Sequence, residues 1–387
     1  MAARPLAVVV GSIGKLPLGG HTVFVSHHLV GLQELGYDVH YVERLASPDE
    51  AYDPRTNEMT DDPSYALDYL RSALTQCGVG NGSWTFVDLD GTFHGVGREA
   101  LERAVGRADF VLNVTDPVWL DELGACDRRA YIDGDPMFTQ VAMETGVGAR
   151  GHAPAYYPVL FTYGVRTGSH DCTIPTGARA WLPARPVVAT SLWRLTPPPP
   201  RAPITALLHW RAGGDVIWQG RSYGHKDRQF MRFAELPRRA PGWQFVVAAG
   251  GGRVPRGELA AAGWELDSPL DHSRSPARYR SFVYGSAADL GVAKDAYVAS
   301  RGGWFSDRST SFLAAGRPVL HQDTGFTEWL PAGEGVLPFS DLDELVERVR
   351  ELEADYDRHA RVARAIAEEH FEARTVLGGM LEAAGFR

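Results

Sequence analysis

Between Gly302 and Thr310 the chain reads Gly-Gly-Trp-Phe-Ser-Asp-Arg-Ser-Thr, a glycine turn followed by residues that begin helices. Ser306, Asp307, Arg308, Ser309 and Thr310 in a first helical turn leave backbone N–H groups free at the positive end of the helix dipole. That is an anion site suited to phosphate. The helix runs on through Ser311–Ala315 and stops at Gly316, since glycine readily takes the positive φ that ends helices. Pro318–Leu320 reads as a short buried strand, and Gln322, Asp323 and Thr324 follow in the loop at its carboxyl end, where open α/β sheets bind ligands. A phosphate at the helix start and sugar hydroxyls at the next loop together point to a nucleotide sugar.

Such groups need a scaffold on each side of a ligand. At 387 residues the chain is long enough for two domains of similar size sharing a cleft. A hydrophobic content of 44% and a charged content of 22% are those of a globular protein, and a net charge of −9 argues against a nucleic-acid surface. Cys77, Cys126 and Cys172 stand far apart with no C-x-x-C pair, so neither a disulfide framework nor a zinc ribbon is expected, and a cytoplasmic setting is. No apolar run approaches the length of a membrane span.

Leu6–Val10, a glycine-rich loop, a helix over Thr22–Leu35 and a strand at Val39–Glu43 make a βαβ unit. Strands are also predicted at Trp84–Val87, Phe110–Val114 and Arg129–Ile132, as expected of a parallel sheet. The polar segment Ala46–Asp62 reads as a loop able to close over an acceptor. Four successive prolines, Pro197–Pro200, forbid a helix or central strand, so residues 197–203 are read as the linker between a first domain, 1–196, and a second, 204–367. The second domain opens with strands at Ile204–Leu208 and Trp243–Ala249, has a further element at Ala287–Ala293, and carries an amphipathic helix over Leu342–Leu352 before a last helical region from about Tyr356 to Ala384.

The block from Gly302 to Asp323 resembles the donor-binding segment of GT-B glycosyltransferases, with their glycine loop, Ser/Thr-rich helix start and "ALAxGxPVV"-like run, here Phe312–Leu320. The resemblance covers most of the chain. It implies an α/β fold of two Rossmann-like domains facing each other across a cleft, with a C-terminal helical tail whose last part, 368–387, returns to the first domain.

Gly20–Val42 resembles the amino-terminal "GH…L…L…GHEV" signature of the same enzymes. The match implies that His21 is the general base for an acceptor hydroxyl, work that a neutral imidazole of pKa near 6.5 can do. Asp116, just after a predicted strand, is the carboxylate expected to orient it, with Asp133 and Asp135 as alternatives. Gly220–Asp227, after a hairpin-like stretch, resembles the "GR…KG" loop, so Arg221 and Lys226 are expected to neutralise the donor diphosphate together with Arg308. Gly250 and Gly251 follow a strand and would let a loop approach the nucleotide closely.

Asp88-Leu89-Asp90, Asp133-Gly134-Asp135 and Asp341-Leu342-Asp343 all fit a metal-binding D-x-D, and three occurrences in one chain show how weak that pattern is. No metal and no cofactor are expected, only a nucleotide-diphosphate sugar as co-substrate. Gly11-Ser12-Ile13-Gly14-Lys15 lacks both G-x-G-x-x-G spacing and a Walker glycine, which disfavours NAD and ATP. Gly303 and Ser311 occupy the two positions of the E-x7-E found in many retaining GT-B enzymes. With His21, that tilts the expectation to inverting transfer onto a small-molecule or glycan acceptor, by a monomer or homodimer that binds no nucleic acid. The rival readings are a nucleotide-sugar epimerase of the same fold and a non-catalytic partner protein.

Overall fold

The computed structural model describes residues 4–211 and 213–387. In chain order its strands are β1 (Leu6–Val10), β2 (Asp38–Arg44), β3 (Ala51–Asp53), β4 (Glu58–Thr60), β5 (Trp84–Val87), β6 (Phe93–Gly95), β7 (Phe110–Val114), β8 (Arg129–Asp133) and β9 (Val159–Thr162). They continue with β10 (Leu182–Pro183), β11 (Ile204–His209), β12 (Val216–Trp218), β13 (Arg221–Tyr223), β14 (Phe245–Gly250), β15 (Glu265–Asp267), β16 (Ala288–Gly291), β17 (Val319–Gln322) and β18 (Val336–Phe339).

Two sheets result. The first has the order β10-β9-β8-β7-β1-β2-β5-β6 and is parallel except for β6, while the second, β15-β14-β11-β16-β17-β18, is parallel throughout. Strands β1 and β7 are buried along their whole length, because helices cover both faces of a parallel sheet, and this is why β1 reads as an unbroken apolar run and β7 as one interrupted only by Asn113. In each sheet the order reverses at the first strand: β1 lies between β2 and β7, and β11 lies between β14 and β16. Those two reversal points open crevices at the carboxyl ends of the strands.

Residues 193–203, with the proline run, carry neither helix nor strand. The segment 46–62 is more ordered than a loop, since β3 and β4 pair as an antiparallel hairpin. The helix Gly19–Glu34 packs against both halves. At its start a methyl group on Gly19 would overlap the carbonyl oxygen of Ser275, so only glycine allows this approach of the two backbones. Further along, Gly31 faces Ala373 and Leu377 of the last helix, Ala373–Ala383, whose Met380 and Leu381 join the apolar core of the first sheet. That core also takes in Tyr297 and Trp304 from the second half, so the two halves are held together by apolar burial as well as by polar contacts.

Candidate functional site

The crevices of the two sheets meet in one cavity of about 480 Å³. A larger groove of about 840 Å³, around Arg4, His40 and Arg103, lies where β1 and β2 begin, away from the strand ends at which such sheets bind ligands. From the first half the cavity receives residues that follow β1 (Ser12, Lys15, His21), β7 (Thr115, Asp116) and β8 (Asp135). From the second half come Lys226, Lys294, Tyr297 and the start of the helix Asp307–Ala314.

On the first-half side a lysine sits among carboxylates. Lys15 is 3% exposed, and its ammonium lies 2.7 Å from Asp116 Oδ1 and 3.1 Å from Glu50 Oε1. Burial pulls its pKa down, but Asp116, Glu50 and Glu43 outweigh that and hold it above the ordinary value. Glu43 accepts hydrogen bonds from the backbone N–H groups of Gly14 (2.9 Å) and Lys15 (2.5 Å) and from the Tyr41 hydroxyl (2.9 Å). Burial pushes Glu43 up to about 7 and Asp116 up to about 6, against the pull of Lys15 in each case.

This corrects the expected His21–Asp116 pair. His21 Nε2 lies 3.0 Å from the Ser12 hydroxyl, and Asp116 is instead committed to Lys15. Burial holds the imidazole down at about 4, so it is neutral across the physiological range. Asp133 lines the cavity but is not free. Its oxygens accept from Asp135 N (3.0 Å), Gln140 Nε2 (2.7 Å) and the Thr162 hydroxyl (2.8 Å), and it serves as a buried staple between β8 and β9. Asp135 is held by Lys294 Nζ at 2.6 Å, by the Tyr297 hydroxyl and by Arg150. Burial raises its pKa, but the two cations override this and hold it well below the carboxylate range, which makes it an anion anchor and not a base.

On the second-half side Lys226, Ser306, Asp307 and Arg308 line the cavity together. Lys226 begins a short helix, and burial beside Arg308 and Lys294 brings its pKa down to about 7. Arg308 reaches the wall with most of its donors spent, on Asp289 Oδ1 (3.0 Å), Asp289 Oδ2 (3.3 Å) and the Leu207 carbonyl (2.6 Å). Ser309 and Thr310 do not reach the cavity. Their hydroxyls are buried on Asp289 Oδ2 and on the Asp307 carbonyl.

Three more expectations fail on placement. Arg221 is exposed on β13, its guanidinium 5.3 Å from the Tyr223 ring and outside the cavity, because β12 and β13 fold into a hairpin that separates it from Lys226. Gln322, Asp323 and Thr324 lie outside the cavity lining and bond within the protein: Gln322 pairs with Ala293 N and Gln229, Asp323 with Gly325 N, and Thr324 with the Trp304 carbonyl. Gly250 and Gly251 stand at the end of β14, where Gly251 has φ +88° and leaves room for His209, and neither lines the cavity. The glycine turn itself serves packing. Gly303 has φ +74° and lies against Arg166 of the first half, so its glycine is required there without any phosphate.

Sequence reasoning missed Lys294, Tyr297 and Arg150 altogether, and took Lys15 only as a failed Walker lysine. Lys294 follows β16 directly, so recognising Ala288–Gly291 as a strand would have placed it at a ligand-binding end. Among the described residues no group of three or more His, Cys, Asp or Glu side chains is arranged to hold a metal ion, and no helix is long and apolar enough to cross a membrane.

Residues 226–376, well under half of the chain, match a family described as glycosyl transferase-like. No curated protein sequence matches. Among solved structures the chain is similar to an alpha-glucosyltransferase in complex with UDP, at TM-score 0.56 and 10% identity over 99% of this chain and 100% of that one. It is similar to the same enzyme type in complex with UDP and a 13-mer DNA, at TM-score 0.56 and 10% identity with the same coverage. It is also similar to Anabaena HepE in complex with UDP-glucose, at TM-score 0.56 and 12% identity over 99% and 100% of the two chains.

Proposed function

The chain therefore has the GT-B fold with a glycosyl transferase-like second half, and on that premise we propose that it moves a sugar from a nucleoside-diphosphate donor to an acceptor hydroxyl. The observation that carries this reading is the division of one cavity: Lys226, Lys294 and the start of the Asp307 helix on one wall, His21 and the Lys15–Asp116 pair on the other. The cationic wall suits a diphosphate leaving group, whose negative charge grows as the glycosidic bond breaks. The opposite wall holds two groups able to accept a proton, as activation of a hydroxyl requires.

UDP is proposed as the nucleotide, because the similar structures hold it. Transfer is proposed to be inverting, with the hydroxyl attacking the anomeric carbon from the first-half wall while the diphosphate leaves toward the second. It is proposed to need no metal, since two lysines and a helix N-terminus supply the positive charge. The acceptor is proposed to be a small molecule or glycan, consistent with a net charge of −9.

Incubation with UDP-glucose, UDP-galactose and UDP-N-acetylglucosamine, with UDP release followed by chromatography, tests the reading. Release from one of the three is expected. A folded protein that neither binds UDP nor releases it from any of them would refute the reading.

A further inference from the structure

The carboxylates on the first-half wall are not equivalent. Every side-chain oxygen of Glu43, Glu50, Asp133 and Asp135 accepts a hydrogen bond. Asp116 is 2% exposed, yet only Oδ1 is engaged, by Lys15 at 2.7 Å, and Oδ2 has no partner. A buried carboxylate oxygen without a donor carries a desolvation cost that native structures seldom leave unmet, and Asp116 is one of the residues that line the cavity.

The local backbone fixes that arrangement. Thr115, the preceding residue, has φ +61°, a conformation costly for a β-branched side chain. Asp116 N donates to Asn113 Oδ1 at 3.0 Å, Asn113 Nδ2 donates to the Tyr157 hydroxyl at 2.8 Å, and the Asp116 carbonyl accepts from Val118 N at 2.8 Å. With Lys15 clamping Oδ1, the carboxylate has one direction left for Oδ2. His21 lies on the same wall but already has the Ser12 hydroxyl against Nε2, and at about 4 against about 6 its conjugate acid is the stronger acid, which makes it the weaker base.

We propose that Asp116 takes the proton of the acceptor hydroxyl through Oδ2, that Lys15 is its positioning residue, and that His21 is not the base. This rests on the transferase reading above. As the acceptor oxygen bonds to the anomeric carbon, its proton passes to Oδ2. The bond from the anomeric carbon to the phosphate oxygen breaks, and its electron pair leaves with the nucleoside diphosphate toward Lys226 and Lys294. Asp116 then returns the proton to solvent.

The test uses the full-length protein and its Asp116→Asn, His21→Ala and Asp307→Asn variants, Asp307 being a second cavity carboxylate, held by backbone N–H groups at the start of its helix. Release of UDP from the three donors is measured in water and in sodium azide, a nucleophile that has no proton to lose. Asparagine keeps an oxygen for Lys15, so the fold is retained, and the rise in unfolding temperature with UDP checks the donor site separately. Asp116→Asn is expected to lose at least about 100-fold in water-dependent release, to recover at least ten-fold in azide and to keep the UDP response. His21→Ala and Asp307→Asn are expected to show no azide recovery.

Lys15→Met reports on positioning. Around Asp116 stand Lys15, Glu43 and Glu50 and the phenols of Tyr41, Tyr131 and Tyr157, and Lys15 is the group that pulls its pKa down. Removing that pull should move the acid limb of the pH–rate profile to higher pH, which a merely structural role would not do. Release by Asp116→Asn at the wild-type rate, or azide recovery in His21→Ala or Asp307→Asn instead, would overturn the assignment while leaving the donor reading intact. A wild-type protein with neither a UDP response nor release would overturn both.

Discussion

The carboxylate of Asp135, at the end of β8 in the first sheet, lies 2.6 Å from the ammonium of Lys294, just beyond β16 in the second. Arg150 and the Tyr297 hydroxyl complete its shell, so a carboxylate from one half occupies the centre of a cation cluster that reaches into the other. Asp135→Asn leaves Lys294 and Arg150 without their counter-charge at a site only 20% exposed. The expected loss is about 2 kcal/mol of stability, read as a lower urea midpoint. An unchanged midpoint would mean that the contact between the halves does not depend on this pair.

Arg221 and Lys226 are separated by five positions in sequence but have unlike surroundings, one exposed on a hairpin and the other in the cavity wall. Arg221→Ala should change UDP affinity by less than about two-fold, whereas Lys226→Met should weaken it by at least about ten-fold, or about 1.4 kcal/mol. Calorimetric titration of both variants decides this. Equal losses would return Arg221 to the site.

Donor affinity should depend on pH through Lys226. In the free protein its pKa is brought down to about 7 by burial beside Arg308 and Lys294, so it is charged below that value and largely neutral above it. A diphosphate favours the charged form and raises the pKa, so binding above pH 7 takes up a proton. UDP affinity is therefore predicted to fall as pH rises from about 7 toward the bound-state value. Titrations in two buffers of different ionisation enthalpy should register the proton uptake at pH 8, and Lys226→Met should abolish it.

Gly19 tests the contact between the halves independently of charge. A methyl group there meets the Ser275 backbone, which cannot swing aside as a flexible side chain can. Gly19→Ala should cost about 2–3 kcal/mol, seen as a drop in unfolding temperature. Wild-type stability in this variant would show that the two backbones are free to separate at this point.

Much of the fold could be read from the chain. Leu6–Val10, Phe110–Val114 and Ile204–Leu208 are mainly apolar runs of strand length, with Asn113 and Thr205 the polar exceptions, which is the pattern of strands covered on both faces. The strand β16 was harder to see because Ala-Asp-Leu-Gly carries Asp289 in its middle. That aspartate is fully buried because Arg308 and Ser309 bind it, a reason visible only after folding. Without a strand assigned at Ala288–Gly291, nothing local places Lys294 at a strand end. The position of Arg221 was misjudged although Gln219 (φ +49°) and Gly220 (φ +76°) form a two-residue hairpin turn between Val-Ile-Trp and Arg-Ser-Tyr, itself a local signal. The pairing of Lys15 with Asp116 spans 101 positions and has no local signature in either segment.

Metal-free binding of a nucleoside diphosphate at the cationic wall of the cavity is the expectation on which the proposed function stands. Calorimetric titration of UDP into the protein, once in EDTA and once in millimolar Mg²⁺, tests it most directly. The same dissociation constant is expected in both, with a loss of at least about ten-fold in Lys226→Met and in Lys294→Met. Binding that appears only with Mg²⁺, or no binding by a folded protein in either buffer, would contradict it.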